Sequence, residues 1–196
     1  MTRLILGSQS PRRKEILNFF TLPFVQIPSA FDEGGVDFQG DPAQYASELS
    51  REKAKEIAVK FPRDIILTAD TVVFFEGTIY NKPKDDEEAF QMVRTLAGRE
   101  HQVFTAVTVQ KGSEVHSGFE MTKIFFNPLT DEQIRLFHRS CSPLDKAGAY
   151  AIQQSGCILV SGIEGCYYNV MGLPVNTVRR LLEKFGINLW EHLNTF

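Results

Sequence analysis

Cysteine is scarce in this chain, tryptophan scarcer, and neither sign of charge predominates. The 196 residues include 3 Cys and 1 Trp. Cys141, Cys157 and Cys166 are odd in number and lack CxxC spacing. That excludes a disulfide framework or zinc-ribbon site and predicts buried free thiols in a reducing compartment. Lys and Arg number 21 against 24 Asp and Glu, a net charge of −3, which excludes a generally basic nucleic-acid-binding surface. A local basic pocket is still allowed, because a site is built from a few residues. Long apolar runs are missing as well. Near the N-terminus only Leu4-Ile5-Leu6 is uninterrupted, too short for a signal-peptide core, and nothing later approaches the roughly 18 apolar residues of a membrane helix. A soluble, cytoplasmic protein with no membrane partner is expected.

What is present is ordinary globular material. Hydrophobic residues make up 43% and charged residues 23%, enough for one unstapled core, so residues 1–196 are expected to form a single domain. Leu4–Leu6 reads as a short buried strand ending in Gly7-Ser8-Gln9-Ser10. Ser10 then caps a helix whose first residue is Pro11 and whose apolar face is Ile16, Leu17 and Phe20. Phe24–Ile27 reads as a strand, followed by a Gly-rich connection from Glu33 to Gly40. Asp41-Pro42 repeats the cap-then-Pro start of a helix, with Tyr45, Leu49, Ile57 and Phe61 at helical spacing.

Ile65–Phe75 is β-branched and apolar enough to be a central strand, turning at Glu76-Gly77. A helix is expected over Asp85–Leu96, followed by a strand through Gln110, a turn at Lys111-Gly112 and a return strand to Phe126. Thr130 and Gln133 form a capping-box pattern, with Leu129 and Ile134 placed as its hydrophobic staple. Cys157–Ile163 reads as a strand and Pro174–Phe185 as a closing helix. Helices alternate with strands while hairpins interrupt the parallel pattern, which implies a mixed-sheet α/β fold.

Two segments carry most of the chemistry. In Ser8-Gln9-Ser10-Pro11-Arg12-Arg13-Lys14, a strand end, a small-residue loop and a capped helix start supply free N–H groups for an anion. Arg12 and Arg13 add planar donors matched to phosphate oxygens. The same pattern also describes a capped helix whose first turn is merely basic. In Thr68-Ala69-Asp70-Thr71, Asp70 lies inside the apolar strand. A buried carboxylate needs a cation, a metal or a cleft.

Lys82, in Asn81-Lys82-Pro83, can return towards Asp70 after the hairpin, or it is an exposed turn lysine. Lys53 interrupts the stripe of Leu49 and Ile57, so it either snorkels to water or points into a polar cleft. The small residues of Asp145–Gln153 suit a ligand-lined loop or tight packing. His101, His116, His138 and His192 show no metal-ligand spacing.

Taken in order, several blocks resemble the Maf family of nucleoside triphosphate pyrophosphatases. They are SQSPRR from Ser8, TADT around Asp70, NKP around Lys82, GREHQVFTAV from Gly98, DKAGAYAIQ from Asp145 and YYNVMGLPV from Tyr167. The resemblance implies an inosine-triphosphatase-like α/β fold, an elongated mixed β-sheet flanked by helices with a cleft between two lobes. It also implies hydrolysis of a nucleoside triphosphate to the monophosphate and pyrophosphate. By motif, Asp70 corresponds to the general base, and Ser8, Arg12, Arg13, Lys53 and Lys82 line the phosphate cleft. Glu33 corresponds to a carboxylate that joins Asp70 at a divalent metal. Oxygen ligands and a substrate-bridging role favour Mg²⁺ or Mn²⁺ over zinc.

Arg12, Thr71 and Gln153 resemble the branch acting on dTTP and UTP, whereas a sister branch acting on 7-methyl-GTP carries Trp, Gln and Glu at these places. Chemistry agrees: a Gln amide answers both the O4 acceptor and the N3 donor of uracil or thymine, while the two donors of guanine suit a carboxylate. This sequence departs from the branch at Ala151 and Gln154, where related sequences commonly have Gly. Family members are often homodimers and are associated with cell-division arrest as well as nucleotide-pool cleansing. A non-catalytic nucleotide- or nucleic-acid-binding regulator is therefore the alternative to an enzyme. No stable nucleic-acid partner is expected.

Overall fold

The computed structural model describes residues 2–194. Strand β1 (Leu4–Leu6), helix α1 (Pro11–Leu17), β2 (Phe24–Gln26) and α2 (Pro42–Lys60) come first, followed by β3 (Ile65–Phe75), β4 (Thr78–Tyr80) and α3 (Asp86–Leu96). Then come β5 (Glu100–Lys111), β6 (Glu114–Phe126), α4 (Asp131–Ser140), β7 (Val160–Glu164), α5 (Tyr167–Val170) and α6 (Val175–Glu183). Helix starts follow the capping chemistry. Ser10 accepts from the Arg13 N–H, Asp41 from those of Ala43 and Gln44, Asp85 from that of Glu88, and Thr130 and Gln133 form both halves of the capping box. Each cap satisfies N–H groups that have no partner within the helix.

The described strands form one seven-stranded mixed sheet in the order β2-β1-β3-β5-β6-β7, with β4 paired to β3. β1 runs parallel to β2 and β3, whereas β5 and β6 extend β3 in long antiparallel ladders. Apolar residues of α1, α3, α4 and α6 share one core on one face of the sheet, where Ala69 and Val73 of β3 also point. Helix α2 covers the opposite face in two separate apolar clusters, Tyr45, Ala46 and Leu49 with Val72, and Ala54, Ile57 and Ala58 with Ile66.

The register of β3 opens a gap. β1 pairs with Ile65–Leu67 alone, and β4 pairs from Val73 onwards. The last β1-side bond is from the Gly7 N–H to the Leu67 carbonyl, 2.8 Å. Residues 68–72 therefore have a strand neighbour on the β5 side only, among the described residues. Ligands in open α/β sheets settle where strand ends diverge in this way. Gly7 permits the chain to leave: a Cβ there would lie 2.5 Å from Ile57 Cδ1 and 2.7 Å from Thr68 Cγ2.

Three expectations are corrected. The strand expected over Cys157–Ile163 begins at Val160, because Gln154–Leu159 winds into a 3-10 turn with the Gly156 N–H bonded to the Gln153 carbonyl. That polar, glycine-containing run has no alternation to hold it flat in a sheet. Phe20 lies beyond α1, which stops at Leu17, and forms an isolated bridge with Leu193. The cysteines are free but not buried: Cys157 is exposed on the 3-10 turn, and Cys141 and Cys166 are half-buried.

Candidate active site

A cleft of about 820 Å³ opens at the gap in β3. Ser8, Arg12, Arg13, Glu33, Lys53, Asp70, Thr71, Lys82 and Gln153 all line it, so residues spread over most of the chain meet in one place. Adjacent strand residues point to opposite faces, and the TADT segment uses this to equip two different walls.

On the α2 face, Thr68 and Asp70 meet Ser50 and Lys53. The Thr68 hydroxyl donates to the Ser50 carbonyl at 2.7 Å, and Ser50 reaches Thr108 at 2.9 Å. This polar seam lies between the two apolar clusters under α2. It explains why Lys53, in line with Leu49 and Ile57, does not snorkel outward. Its ammonium hydrogen-bonds the Asp70 carboxylate and stands 2.8 Å from Glu33 Oε1. The Lys53 and Asp70 side chains are 10% and 9% exposed, whereas Glu33 is 47% exposed. Glu33 itself is set by a 3-10 turn, Glu33–Gly35, capped by Asp32.

The electrostatics of the two carboxylates diverge. Burial pushes Asp70 above the ordinary carboxylate range, opposed by the charges of Lys53 and Arg13 and helped by Glu33. Burial also acts to raise Glu33, but Lys53, Lys82 and Arg13 outweigh it and hold Glu33 below its usual value. A group pushed up by desolvation is a better proton acceptor near neutrality than an ordinary carboxylate. Its neighbour stays ionised. Lys82 is exposed at the cleft edge and contributes its field to Glu33.

On the opposite face, Arg13 spans three elements. Its Nε donates to the Gly172 carbonyl at 2.7 Å, Nη1 to Ser8 Oγ at 3.1 Å and Nη2 to Thr71 Oγ1 at 3.0 Å. Burial draws Arg13 below its ordinary value, countered first by Asp70, yet a guanidinium remains charged. Thr71 continues to Thr105 at 2.9 Å, whose hydroxyl donates to the Asn169 carbonyl at 2.8 Å. Arg12 is less constrained and pairs with Asp145 at 3.4 Å.

The sequence alone does not single out Thr105 or Asn169 as site residues, and it offers Asp145 only as the start of a possible ligand-lined loop. The available signals were a threonine on the buried alternation of β5 and an asparagine inside the YYNV block. The cleft is also lined by Val73, Val103, Tyr150, Ile152 and Gln153. Gln153 is half-buried there. Gln154, at a position where glycine is common in the resembling branch, has φ +53°, a conformation that glycine adopts freely and glutamine at a cost.

The family model described as Maf-like protein matches residues 3–185. The chain belongs to the Maf family. A dTTP/UTP pyrophosphatase of Chlamydia caviae is 44% identical over 192 residues, covering 97% of this chain and 98% of that one. Another protein of that name, from Carboxydothermus hydrogenoformans, is 45% identical over 186 residues, covering 94% and 99%. A nucleoside triphosphate pyrophosphatase of Chlamydia muridarum is 39% identical over 98% of both chains. Among solved structures, the Ham1 protein of Staphylococcus aureus superposes with a TM-score of 0.53 at 14% identity, over 94% of this chain and 100% of that one. That likeness shows the fold alone, and it bears out the expected mixed-sheet α/β architecture. No helix of this Maf protein, among the described residues, is long and apolar enough to cross a membrane.

Proposed function

We propose that this Maf protein hydrolyses dTTP and UTP to the nucleoside monophosphate and pyrophosphate. One observation carries the reading: a single cleft is lined both by Arg12, Arg13, Lys53 and Lys82 with two carboxylates and by apolar side chains together with Gln153. A triphosphate fits the first and a pyrimidine the second. The names of the relatives support the same substrates.

In this mechanism Asp70 accepts a proton from water, whose oxygen forms a bond to the α-phosphorus. The bond from α-phosphorus to the bridging oxygen breaks, and pyrophosphate leaves with the electron pair. Lys53 holds Asp70 and Glu33 in place, while Arg12, Arg13 and Lys82 bind phosphate oxygens as charge shifts towards the leaving group. Phosphoryl transfer is catalysed mainly by such positioning and charge stabilisation. Ser8 and Thr71 aim the Arg13 guanidinium, and Gln153 answers the O4 and N3 edge of the base.

Mg²⁺ or Mn²⁺ fits the donor set. Glu33 and Asp70 carry the hard oxygen atoms such an ion prefers, and both are paired with the Lys53 ammonium. The described residues contain no cluster of three or more His, Cys, Asp and Glu side chains, so Glu33 and Asp70 would hold such an ion only together with ligands from outside the protein, as Mg²⁺ sites commonly allow. When bound, such an ion neutralises phosphate charge and polarises the reacting phosphoryl group. The proposed place of action is the cytoplasm, whose reducing conditions suit free thiols.

A panel of canonical and modified triphosphates, with and without Mg²⁺ or Mn²⁺, tests this reading through coupled detection of pyrophosphate. Release from dTTP and UTP with metal present is expected. Preference for 7-methyl-GTP, or binding of nucleotide without any release, would overturn it. Gln153→Glu is expected to weaken the pyrimidine preference.

A further inference from the structure

His101 lies outside the cleft, yet it is 2% exposed, and a buried imidazole needs a polar partner. Its Nε2 stands 2.8 Å from the Tyr150 hydroxyl, its one side-chain hydrogen-bond partner among the described residues. His101, Tyr150 and Phe126 stack edge to face in a closed trio. Ring centroids are 4.8 Å apart for His101–Phe126, 4.8 Å for Phe126–Tyr150 and 5.4 Å for His101–Tyr150, with interplanar angles of 87°, 77° and 84°. His101 and Phe126 belong to the paired strands β5 and β6, so the sheet holds the Tyr150 ring and hydroxyl.

Tyr150 in turn stands in a chain segment whose backbone is strained on both sides. Ala149 has φ +61° and Gln154 +53°, left-handed values that disfavour any residue with a Cβ. A Cβ on Gly156 would lie 1.8 Å from the Ala151 carbonyl oxygen. Backbone of this kind persists only where its surroundings over-determine it. The Gly148 N–H donates to the Asn81 carbonyl at 3.2 Å, and the Gly156 N–H to the Gln153 carbonyl at 2.9 Å. Between residues 148 and 153 the Tyr150 hydroxyl makes the only hydrogen bond from a side chain of the segment, among the described residues.

We infer that His101 is a positioning residue for nucleobase recognition: through the Tyr150 hydroxyl it fixes the segment that carries Gln153. The assignment of the base to Gln153 rests on the proposed nucleotide substrate, whereas the anchoring of the segment does not. His101 and the Lys53–Asp70 cluster occupy opposite sides of the segment's function. The first acts on how firmly the base is held, and the second on the phosphates.

Two variants test this, Tyr150→Phe, which removes only the hydroxyl, and His101→Phe, which keeps a ring. Hydrogen–deuterium exchange is followed over residues 147–154 and over α1 and β3, alongside steady-state kinetics on dTTP and inhibition by inorganic tripolyphosphate. Faster exchange confined to 147–154 is expected in both variants. KM for dTTP should rise about tenfold, the worth of one buried hydrogen bond, with kcat changed by less than about twofold. Inhibition by tripolyphosphate, which has no base, should not move, and the double variant should be no worse than either single one.

Unchanged exchange at 147–154 would overturn the anchoring. An equal shift in tripolyphosphate inhibition, or a fall in kcat at constant KM, would overturn the link to base recognition. Absence of pyrophosphate release by the unmodified protein would overturn the proposed function instead, and the exchange measurement would still decide the anchoring.

Discussion

Arg13, Lys53 and Asp70, at the phosphate end of the cleft, project from α1, α2 and β3, and each is held by named partners on other elements. Tyr150, Ile152 and Gln153, at the base end, stand on a segment of 3-10 turns and positive φ angles between α4 and β7. Groups on helices and strands are placed more accurately than groups on loops, while loops are where binding preferences vary. The contrast implies a division of labour, in which chemistry requires accurate placement of charge and choice of base requires an adaptable segment riveted at Gly148 and at Tyr150.

The largest effect that would sharpen this contrast is at Asp70. Asp70→Asn is expected to lower kcat by ~10²- to 10⁴-fold, the usual worth of a general base. Its stability should move the other way. A carboxyl whose folded pKa lies above its unfolded value stabilises the fold below the unfolded pKa, and that contribution is lost as pH rises through the folded one. The variant, which cannot ionise, escapes that loss and should hold its Tm more evenly than the unmodified protein as pH rises, read in thermal melts across pH. Near-normal turnover would break the assignment.

Next is Lys53→Met, which keeps volume but strands a buried carboxylate. A loss of about 3–5 kcal/mol in urea unfolding at neutral pH is expected, shrinking at acidic pH as Asp70 takes up a proton. A cost below about 1 kcal/mol would mean that the cluster behaves as an exposed ion pair, and the contrast between the two ends would fail.

The smallest effect concerns the rivet. Burial, only partly offset by a backbone contact at Arg99, lowers His101 from 6.5 to about 4. A neutral buried imidazole supports the fold fully above pH 6.5, and that support is lost as pH falls towards 4. The stability of the unmodified protein should therefore decline over this window by up to ~3 kcal/mol more than that of His101→Phe. Parallel stability profiles for the two proteins would show that His101 is not held neutral.

Much of the phosphate end was legible in the sequence because its residues break local patterns. Asp70 interrupts an apolar strand, Lys53 an apolar helical stripe, and Arg12 and Arg13 place cations at a helix start that disfavours them. Capping residues fixed the helix starts for the same local reasons. The base end was harder to read. Its 3-10 turn over Gln154–Leu159 has no periodicity to detect, and its geometry depends on contacts far along the chain, such as Asn81 to Gly148. The partnership of His101 with Tyr150 spans 49 positions, and neither residue departs from its surroundings enough to announce it. The direction of Lys53 also required the fold, because the seam of Ser50, Thr68 and Thr108 exists only once α2 lies on β3 and β5.

Attack of water on the phosphorus next to the nucleoside is what joins the two ends of the cleft in one reaction. Hydrolysis of dTTP in H₂¹⁸O, with mass spectrometry of both products, tests it most directly. Attack there places ¹⁸O in the dTMP phosphate and none in pyrophosphate; ¹⁸O in pyrophosphate, or release of orthophosphate as the first product, would rule it out.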